Sequence, residues 1–291
     1  MKRWLIPAAL CALAGAAHLV GPYPMPMTAL VLILLGAALF WMLRGIWSRP
    51  SEPAPEPTVT ETVPVLPPSQ LDAACFGTEN GHKTYQSKTL TAALGVDISS
   101  HQGYIDWEQV AGSDVQFAII RAGFRGYMDG SRNDDEALLY NLSAAAEQGL
   151  DVGLYYFSQA VTPEEAREEA RDLLALLDGA PLQYPIYFDW EPVADETART
   201  SSISSTELTD CALAFCQSVE QAGYKAGIYF NLSLATHYYQ LYRLRDYSFW
   251  LAEYQDTPSF PFQVDLWQYS SEGAVPGIDT QVDMNLSFTA S

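Results

Sequence analysis

From about Ala92 onward the hydrophobic and polar positions alternate between two periods. Short runs rich in β-branched and aromatic residues are separated by longer amphipathic stretches. The short runs predict strands at 94–98, 117–121, 152–157, 185–189, 226–230, 249–252, 264–268 and 281–284. The longer stretches predict helices at 133–148, 163–177 and 206–222. Thr162-Pro163-Glu164-Glu165 has the spacing of a capping box with proline at the first helical position, and Ser204 to Glu207 repeats that spacing. Gly149 and Gly223 stand where two of the helices should stop. Strands alternating with helices predict an α/β fold, and eight of them predict a TIM-like barrel. The last three connections are too short for full helices, so the barrel should be irregular.

The head of the chain follows a different pattern. Residues 4–20 are apolar, follow Lys2-Arg3 and include the small-residue stretch Leu13-Ala14-Gly15-Ala16-Ala17, as a signal peptide does. Residues 28–47 are apolar over a length that crosses a bilayer. Residues 50–70 are rich in Pro, Glu and Thr, a composition that buries no core and makes an extended spacer. Residues 71–91 read as a lead-in. The organisation is therefore an apolar signal or membrane-anchor region at 1–49, a linker and lead-in at 50–91, and a barrel domain at 92–291. Lys2, Arg3, Arg44 and Arg49 flank the outer ends of the two apolar runs. By the positive-inside rule they predict a hairpin with both ends in the cytoplasm.

Charge narrows the function classes. The chain has 35 acidic and 15 basic residues, a net charge of −20, and no acid before residue 50. An acidic body repels phosphate backbones, which argues against a nucleic-acid partner. The four cysteines, Cys11, Cys75, Cys211 and Cys216, have no zinc-site spacing and read as buried free thiols.

In a barrel of this kind the active site lies at the C-terminal ends of the strands. The first strand ends at Asp97, the fourth at Asp189 with Glu191 just beyond, and the last run carries Asp283 with Asp279 before it. On an extended strand alternate residues share a face, so Asp189 and Glu191 point into one cleft and Trp190 points away. Crowded carboxylates of this kind suit glycosidic cleavage. One acid holds a proton for the leaving oxygen, and another stays charged beside a cationic sugar. Tyr155, Tyr156, Phe157, Tyr229, Trp250, Tyr254, Trp267 and Tyr269 cluster near the same strand ends. Aromatic rings there suit the apolar faces of sugars. Tyr155 and Trp267-Gln268-Tyr269 are favoured because they flank acidic strand ends. His101 reads as a surface or structural residue, since no nucleophile-and-base pair accompanies it.

These motifs resemble a known family. Gly95-Val96-Asp97-Ile98-Ser99-Ser100-His101-Gln102-Gly103, with Ile105-Asp106-Trp107 after it, resembles the opening of glycoside hydrolase family 25, the Chalaropsis-type lysozymes. Phe117–Gly123 and Gly153–Ser158 resemble its second and third strands, and Asp189-Trp190-Glu191 its Asp-x-Glu signature. Leu266-Trp267-Gln268-Tyr269 and the stretch from Gly277 to Asn285 resemble its closing motifs. The resemblance covers about Ala92 to Phe288. It implies an irregular (β/α)5β3 barrel that hydrolyses the β-1,4 bond between N-acetylmuramic acid and N-acetylglucosamine in peptidoglycan glycan strands. It implies Glu191 as general acid. Asp189 would stabilise the transition state or orient the substrate's acetamido group, with Asp97 and Asp283 as supporting acids. The candidate substrate-binding residues are Tyr155, Trp267, Gln268, Tyr269, Tyr229, Arg121 and Asp279. No metal, cofactor or obligate protein partner is implied. An enzyme of this kind works outside the cell, so the resemblance predicts a membrane-anchored domain on the wall side, against the charge rule above.

Two other readings compete. A wall-binding module would keep the barrel and lack turnover. An enzyme on a related polymer such as chitin would leave glucosamine, not muramic acid, at the new reducing end.

Overall fold

The computed structural model describes residues 65–291, within a compact unit running from Thr62 to Ser291, together with Gly36 and Leu39. The expected anchor at 1–49 and the spacer up to residue 64 otherwise lie outside the described residues. Among the described residues no helix is long and apolar enough to cross a membrane.

The lead-in is ordered structure. It forms a hairpin of β1 (Phe76–Glu79) and β2 (His82–Tyr85), turning through Asn80 and Gly81 at positive φ. Asn and Gly tolerate that left-handed geometry, which the twist of a two-residue hairpin requires.

Eight strands then close a barrel in sequence order: β3 (Leu90–Ile98), β4 (Phe117–Arg125), β6 (Asp151–Ser158), β7 (Ile186–Trp190), β8 (Ala226–Asn231), β9 (Ser248–Ala252), β10 (Leu266–Gly273) and β11 (Val282–Ala290). The first seven run parallel to their neighbours. β11 is antiparallel to both β10 and β3, and the β3–β4 pairing completes the ring. A short β5 (Arg132–Asp134) adds to the end of β4. Five helices follow the first five barrel strands: α1 (Trp107–Ala111), α2 (Leu138–Glu147), α3 (Pro163–Leu177), α4 (Ser205–Gln221) and α5 (Leu232–His237). No helix separates the last three strands. The parallel β9 and β10 are joined by a crossover without a helix at residues 253–265, while the antiparallel β10 and β11 need only a hairpin.

The local chemistry explains these boundaries. α2 starts at Leu138, not at 133, because residues 132–134 pair with β4 and the Asp135 carboxylate accepts the Ala137 N–H at 2.9 Å. Ser204 and Glu207 form the reciprocal capping box. Thr162 caps α3 as expected, but Glu165 bonds the Val161 N–H instead of closing the box. α1 and α5 are too short to show periodicity. They begin at side-chain caps, Asp106 on the Gln109 N–H and Asn231 on the Leu234 N–H.

β7 shows how the strands are shared between two cores. Ile186, Phe188 and Trp190 face the helices, with the Phe188 ring 5.4 Å from Phe215 of α4. Tyr187 and Asp189 face the barrel axis. Inside the lower barrel Phe117, Ile119, Tyr187, Tyr229, Trp250 and Leu266 pack together. Gly95 and Gly227 make room for them, because a Cβ at either would run into the ring of Phe117 or Tyr187. Cys211 and Cys216 are buried free thiols, as expected, and Cys75 is free and half-buried. Cys11 lies outside the described residues.

Candidate active site

Three strands carry four carboxylates to the upper end of the barrel. Asp97 and Asp283 are direct cross-strand partners on β3 and β11. Asp189 sits in register between Phe157 of β6 and Tyr229 of β8. Glu191 follows the last residue of β7. Trp190 between the two acids is buried against Tyr238 on the outer side, as alternation requires.

Asp97 is held by the most elaborate contacts. Its Oδ2 accepts one N–H from Gln268 Nε2 and another from Asn285 Nδ2, both at 2.8 Å. Gln268 Oε1 in turn accepts the hydroxyls of Tyr229 (3.1 Å) and Tyr254 (2.9 Å). Asn285 Oδ1 accepts the Trp250 indole N–H at 2.8 Å. Every polar atom of the Gln268 carboxamide and its tyrosine partners has a defined direction, so Asp97 is aimed by the barrel floor. Asp189 differs: its Oδ1 is buried and has no hydrogen-bond partner. A buried carboxylate oxygen without a donor is costly, and it is free to meet a ligand.

Like charges in a buried space favour protonation. Burial, and then the Asp283 charge, lift the Asp97 carboxyl to about 8 against the pull of its two amide donors. Burial, then Glu191 and Asp97, push Asp189 well above the ordinary carboxylate range, and the Arg121 guanidinium acts the other way. Burial and the Asp283 charge raise Glu191. Burial raises Asp283 to about 6. The Tyr155 phenol, half-buried with its ring 6.0 Å from Trp250, is pushed up by burial and by Asp97, so it stays a proton-bearing donor beside the acids. The cluster therefore keeps protons near neutral pH, when isolated carboxyls have lost theirs.

The expected substrate-binding residues divide. Tyr155 faces the acid cluster. Tyr229 and Gln268 lie inside the barrel, but their polar atoms are taken up in aiming Asp97. Arg121 is ion-paired to Asp135 at 2.8 Å and donates to the Ser100 hydroxyl at 3.2 Å. It therefore shapes the cleft wall as a neighbouring positive charge. Asp279 is exposed in the loop before β11 and makes no hydrogen bond or ion pair among the described residues. Trp267 and Tyr269 are not in the cleft. Gln268 points inward, so its two neighbours point out. Trp267 is buried with its ring 5.3 Å from Phe76 of the lead-in hairpin and 5.6 Å from Tyr269, whose hydroxyl accepts the Lys83 N–H at 3.4 Å. The ordered hairpin covers this face, which the sequence reading treated as a lead-in.

Asn285 and Trp250 complete the floor, and the exposed Tyr254 adds its hydroxyl from the rim. Asn285 was legible in principle, since it shares a strand face with Asp283. Gln159 carried no signal; it follows β6 and is buried. Beside the cleft, a cavity of about 520 Å³ is lined by Ser100, His101, Arg121, Phe124, Asp135 and Phe157. His101 is exposed at its edge. Among the described residues no group of three or more His, Cys, Asp or Glu is arranged to hold a metal ion.

Known proteins are similar to this chain in sequence and in fold. The protein YegX of Escherichia coli K12, itself uncharacterised, is 29% identical over 208 residues, which are 66% of this chain and 68% of that protein. An autolytic lysozyme of Clostridium acetobutylicum is 24% identical over 66% of this chain and 54% of its own length. The modular autolysin LytC of Streptococcus pneumoniae, solved with a synthetic peptidoglycan ligand, superposes with a TM-score of 0.61 at 22% identity, a likeness of fold. The match covers 74% of this chain and 52% of LytC, so the chain spans about half of that autolysin. The family described as glycosyl hydrolases family 25 matches residues 96–278, which include Asp97, Asp189 and Glu191. More than half of the chain lies in that match, and the chain belongs to glycosyl hydrolases family 25.

Proposed function

We propose that this chain is a lysozyme-type peptidoglycan hydrolase that cleaves the β-1,4 bond between N-acetylmuramic acid and N-acetylglucosamine. The observation that carries the reading is the cluster of four carboxyls at one end of the barrel, all raised, in a family of glycoside hydrolases. Glu191 acts as general acid. Burial and the Asp283 charge raise its carboxyl above the ordinary range, which favours the protonated form that must give a proton to the leaving oxygen. Asp189 faces the developing positive charge on the sugar, or accepts the N–H of the substrate's acetamido group on its unpartnered Oδ1. Burial, Glu191 and Asp97 raise the Asp189 carboxyl, and Arg121 is the neighbour that opposes them in favour of its charged form. Asp97 and Asp283 tune the other two, and Tyr155 supplies a hydroxyl that keeps its proton beside them. The cavity walled by Phe124 and Phe157 offers apolar surface for a further sugar.

The LytC complex supports peptidoglycan as the polymer, and the name of the clostridial relative supports the lysozyme reaction. Peptidoglycan lies outside the membrane. The apolar head and Pro-rich spacer fit a tether that holds the domain there. The test is product chemistry. Digestion of purified peptidoglycan should leave muramic acid at the new reducing ends, and Glu191→Gln should release them at a small fraction of the wild-type rate. Glucosamine ends would replace the reading with a different bond or polymer. Binding without any new ends would replace it with a wall-binding module.

A further inference from the structure

The loop that carries Glu191 runs to Ser204 without helix or strand. Its start lies just past the barrel ladder, whose last β6–β7 pair is Ser158 with Trp190. Beyond that point the Glu191 carbonyl has no strand partner, and a backbone carbonyl buried without a donor is unfavourable. Gln159, fully buried after β6, supplies the donor. Its Nε2 bonds the Glu191 carbonyl oxygen at 2.9 Å. Its Oε1 accepts the Thr200 hydroxyl at 2.7 Å. One carboxamide thus ties both ends of the loop together. The main chain of the same residue is also used: the Gln159 carbonyl oxygen accepts Arg199 Nη1 at 2.9 Å. Arg199 is in turn paired with Glu165 of α3 at 2.6 and 3.0 Å, and its N–H bonds the Tyr127 carbonyl at 3.0 Å. The chain of contacts runs from the helix layer to the residue bearing the acid.

We propose that Gln159 is a positioning residue for Glu191, with Thr200 as its anchor. The proposal rests on the reading of Glu191 as proton donor. A carboxamide is required because one end must donate and the other accept in a fixed order. A methionine of similar length leaves the Glu191 carbonyl and the Thr200 hydroxyl unpaired. A loosened loop lets the Glu191 side chain move from beside Asp283 toward water. Both causes of its raised proton affinity then weaken, so the donor loses its proton at lower pH. Gln159 is fully buried and does not reach the cleft surface, so substrate affinity should change little.

The experiment measures kcat, KM, the pH–rate profile and Tm of the full chain on soluble peptidoglycan fragments. Gln159→Met, Thr200→Val and Thr200→Ser are compared with Glu191→Gln and the wild type. Gln159→Met should lower kcat about 10- to 100-fold with little change in KM, the scale of a small misplacement of a catalytic group. It should also move the basic limb of the profile to lower pH. Thr200→Val should shift the same limb less, and Thr200→Ser should restore it. If Gln159→Met does not fold, the valine and serine variants at Thr200 carry the test alone. Wild-type kcat with an unmoved limb overturns the proposal. So does a loss of activity that follows Tm while the limb stays in place, since that is structural support alone. Inactive Glu191→Gln beside fully active Gln159→Met removes only the positioning role. Fully active Glu191→Gln removes the donor assignment, and the positioning role with it.

Discussion

On β7, Tyr187 and Asp189 point into the same barrel two residues apart, and their surroundings are opposite. Around Tyr187 the interior is closed by aromatic contacts, with Trp250 at 5.1 Å and the hydroxyl 3.3 Å from Ser248 Oγ. One layer up, Asp189 shares its space with Asp97, Glu191 and Asp283, and one of its oxygens has no partner. The lower layer gains dispersion and apolar burial. The upper layer holds like charges out of water, which costs stability and keeps protons available. Stability and chemistry are thus stacked in one barrel, and Trp250 joins them: it packs against Tyr187 and Tyr229 and donates to Asn285, which aims Asp97.

Substitutions in the two layers should therefore separate rate from stability. The largest effect is expected for Glu191→Gln, which should cut turnover ~10²–10⁴-fold, the usual worth of a positioned general acid, with Tm nearly unchanged. A parallel fall in Tm would show that the upper layer also holds the fold together. Trp250→Ala comes next. It empties the centre of the lower layer and should lower stability by about 3–5 kcal/mol in denaturant titration, with activity lost as well because Asn285 is released.

Asp97→Asn should act in the reverse sense. The Asp97 carboxyl sits at about 8 in the fold against 3.8 when unperturbed, so above pH ~4 the unfolded chain gives up its proton before the fold does. Stability is lost as pH rises through that window, and the asparagine variant escapes the loss while its carbonyl still accepts both amides. Its unfolding free energy at pH 8 should exceed that of the wild type by on the order of 1 kcal/mol, with a higher Tm, and the gain should vanish near pH 4, while turnover falls. A wild-type Tm at pH 8 would mean that the carboxylate is well accommodated. The smallest effect belongs to Tyr269→Phe. It removes one long hydrogen bond outside the barrel, so stability should fall by ~0.5 kcal/mol or less and KM for peptidoglycan fragments should not move. A raised KM would return Tyr269 to the cleft.

The eight strands were legible because alternating and continuous apolar runs carry their own period, and the three long helices because of amphipathic spacing and caps. The acids were legible because strand ends in this architecture share one end of the barrel. The short helices α1 and α5 and the hairpin at 76–85 were not, being too brief for periodicity to rise above composition. The start of α2 was misplaced because Asp135 caps a turn there, a contact that local pattern does not distinguish from helix.

The amino-acid order by itself determined the barrel, the family and the identity of the four acids, since each depends on local period or motif. Only the tertiary structure decided which neighbours serve those acids. Closure of β3 against β11 set Asp97 opposite Asp283 and brought Gln268 and Asn285 onto its carboxylate. The hairpin turned Trp267 and Tyr269 into outer core. The end of the β6–β7 ladder gave Gln159 a carbonyl to hold. Each of these depends on contacts between residues far apart in the chain, and a side chain's direction relative to a distant partner is not encoded in its local period.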